Sequence, residues 1–416
     1  MREWQSEIFP DIELETKHEK ELARLLSDKE IVKIIELKDG LSISTNSFVG
    51  SVYLGDIHLN IMPKIKGMDL LTLMNYVYQL KDLTIMQHAG FNLRSFTFMD
   101  ILIYQLYVHT EDLFIKGFHR GYIRKEEELA SPKGRLDFNK IAENHYLKKA
   151  TLPSRYYERN EDNLLNQVLL AGIKLCISLA SDPNLIVHLR RLYSYFEEYI
   201  SNIVLTKQVI KKAKNNINRL TERYRPLLEI ISILQENQGI ELEGNNQELK
   251  LQGFFFDMNH FFESLVGRLL QDYVPNYAVR EQFLLHDMFT YASNHNPKNR
   301  RSSTPRPDFA IEKNGKVIKL LDAKYKDLWE NALPRDMLYQ LSVYALSSEG
   351  NKKATIIYPS LNDVAVTQEI NINNPTSDEY MGSVVLNPLN LSYLSSCLAD
   401  KTDNRRLIEE HISGIL

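Results

Sequence analysis

Cysteine is among the rarest residues of this chain. Only two occur in 416 residues, Cys176 and Cys397, each within an apolar run that is typical of a helix. Neither has another cysteine or a histidine nearby at the spacing of metal ligands, which argues against a disulfide framework and a zinc site. We therefore expect two buried free thiols in a protein of a reducing compartment.

Long apolar segments are absent as well. No uncharged apolar run approaches the roughly 18 residues that a membrane-spanning helix needs. The N-terminal sequence MREWQSEIFPDIELE also lacks the apolar centre of a signal peptide. We expect no membrane partner and a cytoplasmic location.

An excess of positive charge is missing too. The 50 Lys and Arg residues face 54 Asp and Glu residues, which gives a formal net charge of -4. This balance excludes a net positive charge over the whole chain, so any contact with nucleic acid requires local basic patches or a partner. With 44% hydrophobic and 25% charged residues, the composition is that of a globular protein of two or three domains.

Apolar periodicity divides the chain into two domains. Residues 1–65 are β-rich, whereas residues 66–236 show mostly helical spacing. The polar, turn-rich stretch 236–252 contains the predicted boundary, which gives an α+β domain over 1–245 and a second domain over 250–416. The second domain has the pattern α-β-β-α-β-β-α and is expected to be an α/β layer structure.

A basic segment lies within the helical region. Seven Lys and Arg residues occur between positions 206 and 225: Lys207, Lys211, Lys212, Lys214, Arg219, Arg223 and Arg225. A solvated helix face would explain these charges, and a contact with nucleic acid or with an acidic partner is the alternative.

The sequence RPDFAIEKNGKVIKLLDAKYK, residues 306–326, carries charges where a buried hairpin should be apolar. Asn314-Gly315 predicts a tight turn, because both residues tolerate positive φ. Asp322 and Lys324 are two residues apart on the second strand, so their side chains share a face. Together with Asp308 they could hold Mg²⁺ and hydrolyse a phosphodiester, with the lysine orienting water or stabilising the developing charge.

The spacing within this hairpin sets a condition for a shared metal. A strict two-residue turn would pair Asp308 with Leu321, one residue out of phase with Asp322. If both aspartates bind one ion, a bulge, a longer loop or a strong twist must correct the phase. The alternative for Asp322 and Lys324 is an ion pair on an edge strand that prevents aggregation, although their apolar neighbours favour a buried cleft.

Two helices supply further candidates. Glu263 interrupts an apolar helical stripe before the hairpin and is a candidate to complete the site. The alternative is a glutamate that snorkels to solvent or forms a salt bridge. Gln340 and Tyr344 are one turn apart on the helix after the hairpin, where ordinary surface hydrogen bonds are the alternative.

A basic loop leads into the first aspartate. Its sequence, NHNPKNRRSSTPRPDF, is rich in Ser, Pro and Asn and contains Arg300, Arg301 and Arg306. Beside a metal site these arginines could hold a phosphate backbone, and a solvated charge run is the alternative.

Three of these motifs resemble the PD-(D/E)xK nuclease superfamily in its RecB-like form: Pro307-Asp308, Asp322-Ala323-Lys324 and Gln340-x-x-x-Tyr344. The resemblance implies a mixed sheet flanked by helices. It makes Asp308 and Asp322 metal ligands, with the Ala323 carbonyl as a third ligand, and it makes Lys324 the catalytic lysine. It also implies that Glu263 is the acidic residue of the first core helix and that Gln340 supports the site and its DNA contacts, with Tyr344 alongside.

A longer series of segments, from about residue 50 to about residue 345, is similar to McrC-like proteins. The segments are VGSVYLGDIHLNIMPKI, LLTLMNYVY, SPKGRLDF, RNEDNLLNQVLL, NRLTERYRPLLEI, DMNHFFESLVGRLL, RPDFAI and LLDAKYK. One departure is Lys133-Gly134-Arg135, where arginine-glycine-arginine is often seen.

The McrC-like resemblance implies a division of labour. Such a chain binds Mg²⁺ but no nucleotide, and its N-terminal domain docks on a hexameric McrB-like AAA+ GTPase and stimulates GTP hydrolysis. The partner recognises double-stranded DNA that contains methylated cytosine. In agreement, the sequence contains no GxxxxGK[ST] phosphate loop.

The expected function is therefore the metal-dependent endonuclease subunit of a 5-methylcytosine-dependent restriction complex in phage defence. Three alternatives remain open. They are a self-sufficient nuclease of repair or recombination, a non-cleaving activator of an AAA+ ring, and a nuclease that acts on RNA.

Overall fold

The structure, a computed structural model, comprises two compact units. One unit combines Met1–Asp82 with Gly239–Leu416, and the other is Leu83–Gln238. The described residues are 1–65, 67–78, 98–146, 150–236, 253–347, 352–399 and 404–414. We call the two units the site unit and the inserted unit, because the predicted site residues all lie in the first.

The site unit begins with a small β-rich layer. Its elements are β1 (Ser6–Pro10), α1 (Lys17–Asp28), β2 (Val32–Leu37), β3 (Gly40–Thr45), β4 (Phe48–Leu54), β5 (Ile57–Ile61) and α2 (Gly67–Tyr78). Strands β1, β3 and β2 form an antiparallel sheet. Helix α1 starts at a capping box of Thr16 and Glu19, and its Leu22 and Leu26 pack into a core with Val32 and Leu41. The predicted β-rich start is thus confirmed.

The inserted unit contains more β-structure than its sequence predicts. Its elements are α3 (Phe98–Lys116), β6 (Gly121–Leu129), β7 (Arg135–Leu136), α4 (Phe138–Tyr146), β8 (Leu152–Asn160), α5 (Leu164–Leu179), α6 (Pro183–Phe196), α7 (Lys207–Asn215) and α8 (Arg225–Glu236). The prediction of mostly helical structure over 66–236 holds for the helices but misses the sheet β6-β8-β7. These strands are rich in charged residues and carry cross-strand ion pairs such as Lys125–Glu158, so no alternation of apolar residues marks them.

The basic segment coincides with α7 and the turn that follows it. Lys207, Lys211 and Lys212 are exposed, whereas Lys214 forms an ion pair with Glu229 at 2.9 Å. The exposed lysines are compatible with either predicted role, a solvated face or a contact surface.

A mixed six-stranded sheet forms the centre of the C-terminal part. The elements are β9 (Gly253–Asp257), α9 (Met258–Tyr273), β10 (Ala278–Glu281), β11 (Phe309–Lys313), β12 (Lys316–Ala323), α10 (Arg335–Ser347), β13 (Lys353–Ser360), β14 (Gln368–Asn373), β15 (Tyr380–Asn390), α11 (Leu391–Ala399) and α12 (Arg405–Ser413). The strand order is β10-β11-β12-β13-β15-β14. Strand β13 runs parallel to β12 and to β15, and the other pairs are antiparallel.

Helices cover both faces of this sheet. Leu341 and Tyr344 of α10 pack with Ala310 of β11 in one apolar core. Phe309 points to the opposite face because side chains alternate along a strand. There it meets α9, where a Cβ added at Gly267 would lie 3.0 Å from the Phe309 ring. The expected α/β arrangement of a mixed sheet flanked by helices is therefore present.

The first 82 residues belong with the C-terminal part, which differs from the predicted division into 1–245 and 250–416. The physical reason is that two strands pair with each other although the whole inserted unit separates them in the sequence. Strand β4 is antiparallel to β9, from Phe48 opposite Asp257 to Val52 opposite Gly253. Composition marks a boundary near residue 245. It cannot show that a strand before the inserted unit forms backbone hydrogen bonds with a strand after it.

Both cysteines are buried and free, as predicted. In the part of the chain that the structure describes, no helix has the length and apolar character needed to cross a bilayer.

A buried carboxyl group links the N-terminus to the end of β12. Glu3 has no exposed surface, and its Oε1 accepts hydrogen bonds from the Lys64 N–H at 2.7 Å and from the Tyr325 hydroxyl at 2.8 Å. No described residue forms a hydrogen bond with its other oxygen, Oε2. Burial raises the pKa of Glu3 to about 7, although both hydrogen bonds favour the ionised form.

We predict that Glu3→Gln removes a pH dependence of stability. The native carboxyl group keeps its proton up to about pH 7, whereas the unfolded one ionises near 4.5. The unfolded state therefore binds fewer protons between these values, so the free energy of unfolding of the wild-type chain falls by about 3 kcal/mol as the pH rises through this window.

Urea denaturation of both proteins at several pH values from 4.5 to 8 measures this difference. Glu7→Gln, at an exposed position of β1, is the control for the loss of one carboxyl group. Equal pH dependence of wild type and Glu3→Gln would contradict the prediction.

Candidate active site

A bulge in the β11–β12 hairpin sets the phase of the two aspartates. The turn at Asn314-Gly315 has positive φ at both residues, 53° and 76°. Next to the turn Glu312 pairs with Val317, but the register then shifts, and Ile311 pairs with Lys319. Ile318 is thus the extra residue on β12. The predicted irregularity is confirmed, and continuing the shifted register by one residue brings Asp308 opposite Asp322.

The two carboxyl groups lie side by side at the end of β12. The Asp308 Oδ2 accepts a hydrogen bond from the Ala323 N–H at 2.9 Å, and Asp308 also shares a hydrogen bond with Asp322. Asp322 is only 2% exposed. Burial, followed by the charge of Asp308, raises the pKa of Asp322 to about 7. Two adjacent carboxylates with so little solvent favour a shared proton or a bound cation.

Lys324 supplies the cationic group. Its Nζ lies 3.7 Å from the Asp322 Oδ2, and its side chain is 35% exposed. The Lys324 N–H donates to the Ile357 carbonyl of β13 at 3.0 Å, which fixes the backbone of the motif. Strand β12 lies between β11 and β13, so this ion pair does not protect a sheet edge and the edge-strand alternative is wrong.

Glu263 faces the same site from α9. It is half-buried, and burial together with the Asp308 charge raises its pKa. Its Oε1 accepts a hydrogen bond from Gln282, whose own N–H donates to the Asp308 carbonyl at 2.7 Å. Sequence reasoning missed Gln282, since no spacing relates it to Asp308. Its positive φ of 51°, uncommon for a residue other than glycine, is visible only in the structure.

Gln340 and Tyr344 hold the segment that precedes Asp308. The Gln340 amide donates to the Tyr344 hydroxyl oxygen at 2.8 Å, and the Arg306 N–H donates to the same oxygen. Tyr344 is 3% exposed, whereas Gln340 is exposed. Its ring is buried in the core between α10 and the sheet, a position that does not favour the predicted contact of Tyr344 with nucleic acid.

The predicted arginines of the basic loop are all exposed. Arg300, Arg301 and Arg306 belong to the segment between β10 and β11. Asn296 orders part of this loop, because its side chain forms hydrogen bonds with both the N–H and the carbonyl of Arg300, at 2.9 and 2.8 Å. Among the described residues, no hydrogen bond or ion pair joins these guanidinium groups to Asp308 or Asp322, so they remain available to a ligand.

The donor set suits a hard divalent cation. The Asp322 Oδ1 is buried and has no hydrogen-bond partner among the described residues. Within the same residues, no three His, Cys, Asp or Glu side chains converge closely enough to hold an ion. Two carboxylates and a backbone carbonyl at Ala323 would leave the other positions to water, which is the usual coordination of Mg²⁺ and not that of Zn²⁺.

Comparison with known proteins gives one family and one fold. The family model described as "McrBC 5-methylcytosine restriction system component" matches residues 43–359. No curated protein matches the sequence.

Two solved structures share the fold at 20% sequence identity. One is the refined half-complex from a tetradecameric assembly of Thermococcus gammatolerans McrB AAA+ hexamers with bound McrC. It has a TM-score of 0.66 and covers 100% of this chain and 99% of that chain. The other is the cryo-EM structure of the Thermococcus gammatolerans McrBC complex, with a TM-score of 0.51, covering 68% of this chain and 88% of that chain.

We predict that Asp322→Asn stabilises the chain when no metal is present. At pH 8 the substitution removes the buried charge of Asp322 beside the charge of Asp308, and the new amide can donate to Asp308. The free energy of unfolding should rise by about 2 kcal/mol. Urea denaturation without metal measures this change, and Asp336→Asn at an exposed position of α10 is the control.

Added Mg²⁺ should stabilise the wild-type chain more than the Asp322→Asn variant. It should stabilise the wild-type chain by about 1.4 kcal/mol at roughly ten times its Kd, and Asp322→Asn much less. Equal stabilisation of the two proteins by Mg²⁺ would contradict a metal role for Asp322.

Proposed function

This chain belongs to the family of McrBC 5-methylcytosine restriction system components, and we propose that it is the Mg²⁺-dependent DNA endonuclease subunit of such a complex. The observation that carries the proposal is the bulged hairpin. It brings Asp308 beside Asp322, with Lys324 Nζ 3.7 Å from Asp322. Two carboxylates and a lysine on one surface are the groups that hydrolysis of a phosphodiester requires, and they favour a nuclease of the PD-(D/E)xK type.

Asp308, Asp322 and the Ala323 carbonyl would hold the metal ion. Bound there, Mg²⁺ would supply a Lewis acid for the phosphate and lower the pKa of a coordinated water. The protein keeps this position poor in water, since Asp322 is almost fully buried, and it keeps Asp308 in place through the Ala323 N–H. Both features strengthen electrostatic attraction to a cation.

Lys324 provides the positive charge at the solvent side of the site. Its ammonium group is held near Asp322 but is partly exposed, so it can donate hydrogen bonds to a phosphate oxygen or to the attacking water. In this position it stabilises the negative charge that develops on the phosphate. Glu263, with its raised pKa, lies across the site and can accept a proton from that water.

Gln282, Gln340 and Tyr344 are positioning residues in this proposal. Gln282 holds Glu263 through its side chain and Asp308 through the backbone, and Tyr344 receives the Arg306 N–H. Each hydrogen bond restrains the segment that carries Asp308. A displacement of about 1 Å in such a site lowers the rate strongly, so these contacts support the catalytic geometry.

The substrate is proposed to be double-stranded DNA with methylated cytosine, brought by an AAA+ GTPase. The net charge of -4 gives the chain little general attraction for DNA, while Arg300, Arg301 and Arg306 offer local phosphate contacts. The structural relative from Thermococcus gammatolerans is McrC bound to McrB AAA+ hexamers. We propose a comparable partner hexamer that binds GTP, with the region 1–245 docking on it and stimulating hydrolysis.

We predict that Lys324→Met in the complex lowers cleavage about 10²- to 10³-fold, because it removes the cation that stabilises developing charge. The assay is cleavage of a methylated plasmid with Mg²⁺, a McrB-like AAA+ GTPase partner, and GTP. Asp322→Ala should abolish cleavage as well.

Lys326→Met is the matched control for Lys324→Met. Lys326 lies two residues further along, and its ammonium group lies 5.5 Å from the centre of the Trp4 ring. The control should cut at nearly the wild-type rate. Cleavage by the chain alone would favour a self-sufficient nuclease, and stimulated GTP hydrolysis without any cleavage would favour a non-cleaving activator.

We predict that replacing Arg300, Arg301 and Arg306 together by alanine weakens DNA binding without changing its selectivity. The slope of log K against log salt should decrease by up to about 0.9 for each lost phosphate contact. Fluorescence anisotropy of the complex with methylated and unmethylated duplexes measures both quantities.

The charge-matched control for this triple variant lies on α1. Lys17, Lys20 and Arg24 are solvent-exposed there, and their replacement by alanine removes the same total charge. An equal loss of affinity in both triple variants would contradict a specific role of the basic loop.

A further inference from the structure

Lys324 lies at a turn of the chain directly after β12. Strand β12 ends at Ala323, so Lys324 is the first residue beyond the sheet. The Lys324 N–H donates to the Ile357 carbonyl at 3.0 Å, and the Lys326 N–H donates to the Lys324 carbonyl at 2.9 Å, which turns the chain at Tyr325. The direction of the Lys324 side chain therefore depends on how Tyr325 is fixed.

Tyr325 is anchored through its hydroxyl group. The residue is only 4% exposed, and its hydroxyl donates to the Glu3 Oε1 at 2.8 Å. A buried tyrosine needs such an acceptor, because a hydroxyl group without a partner costs free energy in the core. Holding the ring at this depth also restrains the backbone of the preceding residue, Lys324.

The acceptor Glu3 is itself fixed in the core. It has no exposed surface, and its Oε1 also accepts from the Lys64 N–H at 2.7 Å. The Glu3 N–H donates to the Met62 carbonyl at 3.2 Å. Both the backbone and the side chain of Glu3 are thus tied to the segment after β5, which makes Glu3 a rigid support for Tyr325.

The Tyr325 ring also contacts the helix that carries Glu263. The centres of the Tyr325 and Phe262 rings lie 6.0 Å apart at an angle of 57°, within the range of favourable aromatic pairs. Phe262 directly precedes Glu263 on α9. Tyr325 therefore packs beside the neighbours of two groups, Lys324 and Glu263, that the proposed reaction uses.

A carboxyl group at position 3 is costly for the fold. Burial disfavours the ionised form of Glu3 more strongly than its two hydrogen bonds and the charge of Lys64 favour it. Within the described ranges its Oε2 has no hydrogen-bond partner. An apolar residue would avoid this cost. A loss of stability next to a reacting group is typical of residues that serve activity.

We propose that Glu3 and Tyr325 are a positioning pair that holds the ammonium group of Lys324 at the carboxylates of the candidate active site. Without the hydroxyl group or its acceptor, Tyr325 shifts and the Lys324 Nζ leaves its place 3.7 Å from the Asp322 Oδ2. The pair acts through Lys324 and not on the substrate. The inference rests on the proposed function for the reaction, but the placement of Lys324 can be measured without cleavage.

Competitive acetylation of amines in the full chain at pH 8 without metal, read by mass spectrometry, measures how freely Lys324 reacts. Tyr325→Phe keeps the ring and removes only the hydroxyl group. It should raise the acetylation rate of Lys324 about threefold relative to the exposed Lys207 and Lys211, the factor that loss of a partly exposed ion pair gives. Glu3→Ala should do the same, whereas Glu3→Gln should retain the wild-type rate because its amide oxygen still accepts from Tyr325.

Tyr107→Phe is the matched control. The Tyr107 hydroxyl donates to the Glu111 Oε1 at 3.0 Å and the residue is 8% exposed, so this variant loses a comparable tyrosine–glutamate hydrogen bond elsewhere. Its Lys324 should react as in the wild type. An unchanged rate for Lys324 in Tyr325→Phe, or an equal rise in Tyr107→Phe, would overturn the proposal.

Cleavage assays of the complex then separate the positioning pair from the nuclease proposal. Tyr325→Phe should lower kcat about tenfold by displacing Lys324. KM and the Mg²⁺-induced stabilisation should stay near their wild-type values, because Asp308 and Asp322 remain in place. A wild-type kcat in Tyr325→Phe would overturn the proposal. Faster acetylation of Lys324 in a chain that never cleaves DNA in the complex would sustain the pair and refute the nuclease proposal.

Discussion

The contact between Asp308 and Asp322 is the constraint on which the site depends. Burial raises the pKa of Asp322, and the adjacent charge of Asp308 raises it further because two ionised carboxylates repel each other. The fold tolerates this because Asp308 accepts from the Ala323 N–H and because Lys324 lies beside Asp322. A cation bound by both carboxylates would relieve this repulsion.

The surroundings of the pair restrain it from several directions. Tyr344 fixes the chain before Asp308 from the α10 side, and Gln282 does so from the end of β10. Behind Lys324, Tyr325 is tied to Glu3, a residue from the other end of the sequence. This last contact, with the pairing of β4 and β9, explains why the first 82 residues belong to the same compact unit as the site.

Three exposed arginines lie in the loop before Asp308, whereas the chain as a whole has a formal net charge of -4. In the proposed function this loop contacts the phosphate backbone. The low net charge of the chain leaves recruitment to a partner. In the proposed function such a subunit would act only where the partner delivers a substrate.

The sequence by itself determined the local features of the site. Asn314-Gly315 fixed a hairpin, the two-residue spacing put Asp322 and Lys324 on one face, and the mismatch of phase with Asp308 already required an irregularity. Tertiary structure alone decided that the irregularity is a bulge at Ile318, that Tyr344 is buried, and that Glu3 reaches Tyr325. It also decided the β4–β9 pairing and the charged sheet of the inserted unit. The reason is physical: periodicity and turn residues report on neighbours in the chain, whereas these outcomes depend on hydrogen bonds and burial between segments that only the folded chain brings together.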